Sequence, residues 1–168
     1  MMWSDICIKQ AQRCGKINIT PLCEENIQPN SIDLTLDDEI LVWDRYENEF
    51  YTHHLSDGYR LLWGDFILAS TKEKITLGNG VCAQVDGKSS WGRKGLTIHQ
   101  TAGFIDAGFS GNITLECTTV GQPISNLKAG TPICQLVFWD AYPSKRLYGS
   151  EGLGSHYQGQ TGVTKSWM

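Results

Sequence analysis

Apolar and polar residues alternate along most of this chain in short runs broken by glycine- and proline-containing turns, which is the period of half-buried β-strands rather than of helices. Ser31-Ile32-Asp33-Leu34-Thr35-Leu36 sets Ile32, Leu34 and Leu36 on one face and Ser31, Asp33 and Thr35 on the other, predicting a strand with one buried face. Lys16–Ile19 and Ile113–Cys117 alternate as strands do, Ile40–Trp43 is an apolar run, Phe66–Ser70 reads as a buried strand and Val81–Asp86 as a further strand, and Ile133–Trp139 is the most hydrophobic strand, a core element. Pro21–Pro29 reads as loop, Asp44–Gly64 as a polar hairpin excursion turning at Asp57-Gly58, and Gly78-Asn79-Gly80 as a turn. One helix is expected, from Ser4 or Asp5 as N-cap to Gly15 as stop. Spacings this short leave no room for crossover helices, so the class is mainly β, a sandwich or barrel.

Composition narrows the class further. The chain has 168 residues, 40% of them hydrophobic, enough for one core. Residues 1–147 read as a single β domain, and residues 148–168, rich in Gly, Ser and Gln, as a tail that is disordered or orders over a ligand. A net charge of −4 with dispersed Lys and Arg excludes a holder of long nucleic acid. The polar residues between Ile6 and Ile19 break any signal-peptide core, and no run reaches membrane-spanning length, so a cytoplasmic location with no membrane partner is expected. The six cysteines read as free thiols. None of His53, His54, His99 and His156 has a Glu two residues on, and there is no CxxC pair, so a zinc-dependent deaminase is excluded.

Polar chemistry concentrates between Gly87 and Glu116. Gly87-Lys88-Ser89 fails as a P-loop, because Cys82 stands where the first glycine belongs. A helical turn beginning at Ser89 would put Ser89 and Arg93 on one face, either as a phosphate-binding turn or as an ordinary capped turn. His99 falls off the buried face, as a satisfied polar residue or a catalyst, and Asp106 sits in a turn where Asp is common for backbone reasons alone. Glu116 alternates with Ile113, Leu115 and Cys117, so a carboxylate stands in mid-strand. It is either solvent-facing or, where that face lines an interior, suited to general acid/base work.

These residues resemble the dCTP deaminases of the trimeric dUTPase superfamily. Asn26-Ile27-Gln28-Pro29-Asn30-Ser31-Ile32-Asp33-Leu34, Gly87-Lys88-Ser89-Ser90-Trp91-Gly92-Arg93-Lys94-Gly95, Thr101-Ala102 with Ile105–Gly111 and Leu115-Glu116, and Tyr157–Gly162 are similar to the family's motifs, in order. The resemblance implies a distorted jelly-roll or β-barrel, a homotrimer with sites at subunit boundaries, and zinc-independent hydrolysis of dCTP. Ser89, Arg93 and the Ala102 backbone would place the water and Glu116 would move its protons, while Lys88, Ser90, Asp106, Tyr157 and Gln160 would contact the nucleotide. Mg2+ would arrive on the triphosphate with no direct protein ligand, and dTTP is a candidate inhibitor. Glu116 separates this branch from the dUTPases, where that position is apolar. Asp106 raises continuation to dUMP and pyrophosphate. The alternatives are a dUTP pyrophosphatase and a non-catalytic nucleotide-binding homologue. Ala107, Trp91-Gly92 and Thr119 depart from the family's usual residues.

Overall fold

The computed structural model describes residues 1–168. Two antiparallel sheets enclose one core. The first runs Glu49–His54, Glu39–Asp44, Ile67–Leu77, Ser110–Thr119, Leu96–Thr97, with Ile17–Thr20 also pairing with Ile67–Leu77. The second runs Phe104–Ile105, Val81–Gly87, Pro132–Asp140, Ser31–Thr35, Ile27–Gln28, and a small ribbon joins Ile124–Leu127 to Tyr59–Leu61. The sheets do not close into a barrel, so the jelly-roll half of the expectation describes the fold. The alternating strands pour their apolar faces into a cluster of 32 buried residues, with Phe138 fully enclosed and stacked on Trp3 at 5.6 Å between ring centroids. No helix is long and apolar enough to cross a membrane.

The helix runs Asp5–Arg13, buries Ile8 and Ala11, and ends at Gly15, whose φ of 74° is the left-handed conformation a helix stop uses. Ser4 sits at its N-cap but its hydroxyl donates to Cys7 Sγ, not to a backbone N–H. The Pro21–Pro29 loop holds a short 3-10 turn, Glu24–Asn26, and the Ile27–Gln28 strand. The hairpin turns between Asp44 and Glu49, where Asp44 Oδ1 accepts the N–H groups of Tyr46 (2.8 Å) and Glu47 (3.2 Å), and the expected turn at Asp57-Gly58 is a separate one, a 3-10 turn over Leu55–Asp57 in which Gly58 N–H donates to Leu55 O (3.0 Å).

Two strands differ from their sequence pattern. Ser31–Thr35 is buried on both faces, Ser31 and Asp33 being only 8% and 7% exposed, because Asp33 is ion-paired to Lys88 from the adjoining sheet region. Ile67–Leu77 continues well past Ser70 through a polar run in which Thr71 and Glu73 turn inward and Lys72 and Lys74 outward. There Glu73, 4% exposed, accepts the Thr35 N–H (2.9 Å) and hydroxyl (2.7 Å), which satisfies a carboxylate that burial would otherwise penalise. Residues 71–73 stand opposite Ile113 alone, a bulge in the pairing with Ser110–Thr119.

Candidate active site

The strand Ser110–Thr119 builds the site's floor. Ile113, Leu115 and Cys117 enter the core, which turns Thr114 and Glu116, both half-buried, to the other face and into a cavity of about 540 Å3. That volume suits a nucleotide-sized ligand. Ala102, Asp106, Glu116, Tyr157 and Gln160 line it together, five of the residues singled out from sequence.

Glu116 is oriented by the backbone alongside it. Its N–H donates to Ile98 O (3.0 Å), and its Oε2 accepts the Gln100 N–H (2.9 Å), so the segment carrying Ala102 is tied to the strand carrying the carboxylate. One carboxylate oxygen is thereby fixed by the backbone. Behind it, burial pushes the Cys117 thiol up to about 12, so the core side contributes no second charge. Asp106 is an exposed carboxylate on the same cavity, next to the Phe104–Ile105 strand.

The walls are aromatic. Phe50 and Phe66 approach at 6.2 Å, and Phe109 meets Tyr148 edge-on at 5.7 Å. No local pattern pointed to Phe50 and Phe66, which arrive from the outer hairpin and the loop before Ile67. The roof is the tail. Tyr157 N–H donates to Tyr148 Oη (3.2 Å), Gln160 Nε2 to Asn112 O (2.6 Å), and Lys165 Nζ lies 5.8 Å from the centroid of Phe50. The tail lies along Ser110–Thr119 through its own hydrogen bonds to that strand.

Lys88, Ser89, Ser90 and Arg93 do not line this cavity. They form the start and end of a single helical turn, Ser89–Gly92, in which Arg93 N–H donates to Ser89 O (3.0 Å), the shared face expected from their spacing. Ser89, Ser90 and Arg93 are exposed there, and Lys88 Nζ donates to buried Asp33 Oδ2. Gly95, with φ 92°, ends the turn. A Cβ on it would sit 2.3 Å from Gly121 N, so only glycine lets the turn lie against the Gly121 corner, where Val120 N–H donates to Gly95 O (3.0 Å) and Gln122 N–H to Lys94 O (3.1 Å).

His99 is half-buried with its Nδ1 enclosed and unpartnered, and it does not line the cavity. The three departures are absorbed locally. Ala107 is buried, Trp91 Nε1 donates to Pro132 O (2.9 Å) with its ring against the core, and Thr119 donates to Gln122 O (2.9 Å). Sequence reading missed Asn112 and Asp33, buried polar residues whose partners lie far along the chain.

Comparison with known proteins bears on the family and the fold. A family profile described as dCTP deaminase-like matches residues 2–141. A dUMP-forming dCTP deaminase of Thermobifida fusca is 40% identical, covering 99% of this chain and 92% of its own, and one of Corynebacterium glutamicum is 40% identical, covering 99% and 95%. The crystal structure of a 2'-deoxycytidine 5'-triphosphate deaminase from Agrobacterium tumefaciens superposes with a TM-score of 0.70 at 24% identity, over 82% of this chain and 47% of that one, and shares the fold.

Proposed function

The chain belongs to the dCTP deaminase-like family, and from that premise we propose that it hydrolyses dCTP to ammonia and dUTP and carries dUTP on to dUMP and pyrophosphate. The observation that supports it most is Glu116, a half-buried carboxylate held at one oxygen by the Gln100 N–H on the wall of a nucleotide-sized cavity. In this reading Glu116 takes a proton from a water as the water oxygen bonds to C4 of cytosine, and passes that proton to N3. It then moves the remaining hydroxyl proton to the amine, the C4–N bond breaks, ammonia leaves and C4 becomes the uracil carbonyl. One carboxylate acts as base and then as acid, a role worth roughly 10²–10⁴-fold in rate.

Ala102 would hold the water through its backbone, and Ser89 and Arg93 would complete the site from a second copy of the chain. Their turn lies away from the cavity of its own subunit, which fits the subunit-boundary site and homotrimer that the resemblance implies. Ser90 and Lys88, its ammonium shared with Asp33, would add nucleotide contacts, and Tyr157 and Gln160 would close over the phosphates. In the second step a water attacks the α-phosphorus, the bond to the bridging oxygen breaks, and pyrophosphate leaves, with Asp106 supporting the water. Mg2+ would arrive on the triphosphate with no direct protein ligand, which fits a cavity lined by the carboxylates Asp106 and Glu116 with no cluster of metal-ligating side chains. When bound, Mg2+ neutralises phosphate charge.

The test follows ammonia, pyrophosphate and nucleotide products from dCTP and from dUTP with Mg2+ present, with dTTP added separately as an inhibitor. Ammonia together with dUMP is expected from dCTP. Glu116→Gln should lose ammonia release by at least about 100-fold with the assembly intact, and a variant of undiminished rate overturns the reading. Pyrophosphate from dUTP with no reaction of dCTP would make the protein a dUTP pyrophosphatase.

A further inference from the structure

We propose that Asn112 is a positioning residue that latches the tail onto Ser110–Thr119 and so governs how tightly the nucleotide is retained. The retention half rests on the function proposed above; the latch half does not. Asn112 is 8% exposed, and it is committed on two opposite sides. Inward, its Nδ2 donates to Thr71 O (2.9 Å) and Lys72 O (3.3 Å), carbonyls released from sheet pairing by the bulge that sets residues 71–73 against Ile113. Outward, its Oδ1 accepts the Gly162 N–H (3.2 Å), its own N–H donates to Gln160 O (3.1 Å), and its carbonyl accepts Gln160 Nε2 (2.6 Å).

The amide is oriented by this set of partners. Two carbonyls face its nitrogen and an N–H faces its oxygen, so neither a flipped amide nor a carboxylate satisfies both sides. On either side of it Gly159 N–H donates to Ser110 O (2.7 Å) and Thr164 N–H to Thr114 Oγ1 (3.4 Å), which fixes the register of the tail along the strand. Gly111 completes the dock. A Cβ there would lie 3.0 Å from Gln160 O and 3.2 Å from Gln160 N, so the tail backbone rests directly on the strand backbone. Gln160 and Thr164, positioned this way, are cavity-lining residues. Geometry at the bulge is thus transmitted through one buried amide to the cavity's roof.

The experiment uses the full chain with two independent variants. Asn112→Ala removes the latch. Gly111→Val leaves the Asn112 amide and the bulge untouched and obstructs the tail from outside, at a position whose φ is not left-handed. Hydrogen exchange without nucleotide is read at Gly159 and Gly162, and steady-state kinetics with dCTP follow. Both variants should exchange these amides about tenfold faster or more, the loss of one or two hydrogen bonds of ordinary net worth. KM should rise about tenfold by the same measure with kcat within about threefold. Exchange that stays at the wild-type rate in both overturns the latch. Faster exchange with unchanged KM overturns the link to nucleotide retention. A wild-type chain inert toward dCTP and dUTP overturns the proposed function and with it the retention half, while the exchange result still decides the latch. Should Asn112→Ala fail to fold, Gly111→Val carries the decision alone.

Discussion

Replacing Lys88 with Met isolates the buried ion pair beneath the Ser89–Gly92 turn. Lys88 Nζ donates to Asp33 Oδ2, with side chains 24% and 10% exposed. Once the ammonium is gone, Asp33 keeps only Gln28 Nε2 at 3.4 Å on that oxygen, and its Oδ1 already lacks a partner. Breaking a buried pair from one side costs about 3–5 kcal/mol. The quarter-exposed lysine lets some water reach the gap, which favours the lower end, about 3 kcal/mol. For a chain of this size that is a fall of roughly 6–12 °C in Tm. Adding Asp33→Asn removes the stranded charge and should restore most of the loss, so the cycle of wild type, two single variants and the double variant should show strong coupling. Unfolding in urea followed by tryptophan fluorescence at one fixed protein concentration is the assay, since assembly stabilises by mass action. A Lys88→Met chain within about 0.5 kcal/mol of wild type, or a double variant weaker than either single one, would refute the reasoning.

Gly95→Ala should be severely destabilising, because its Cβ meets backbone at Gly121 and no side chain can yield; Gly92→Ala, in open space, is the control, and circular dichroism melts compare them. Cys7, exposed and with its thiol pKa lowered by the Ser4 hydroxyl, should react fastest with a thiol reagent, while Cys117 and Cys134 should react only on unfolding. Burial raises the folded Cys117 thiol to about 12 while the unfolded thiol titrates near its ordinary 9.0, so above that pH the unfolded state binds fewer protons. Stability should therefore fall with rising pH from about 9 towards 12, with Cys134 acting in the same direction, and Cys117→Ala should flatten the decline in urea titrations. Asp106→Asn should keep ammonia release from dCTP and lose pyrophosphate release by roughly 10²-fold or more, measured on both products.

Elements whose identity is local were legible in the chain. Ile113–Cys117 alternates, and the half-buried Glu116 follows from that alternation alone. Ile133–Trp139 is apolar except for Gln135, and the observed strand contains it. What escaped was non-local. The polar residues 70–74 read as the end of a strand because Thr35, which binds the Glu73 carboxylate, and Asn112, which binds the Thr71 and Lys72 carbonyls, are far away in sequence. Asp33 read as an outward residue because its counter-charge is 55 residues on. The tail's composition argued against order, and apolar burial is indeed slight there; its placement comes from side-chain amides, Gln158 and Gln160, binding backbone groups of residues 108–112. The aromatic walls were invisible for the same reason, since Phe50 and Phe109 meet at the cavity from distant parts of the chain.

The unbroken run Ser110–Thr119 is also a ruler. At about 3.3 Å of rise per residue, Asn112 and Glu116 stand roughly 13 Å apart on a strand that cannot stretch. On the proposed function, a nucleotide gripped by the tail at one mark and attacked at the other would span that interval, so a nucleotide cut short should be held less tightly.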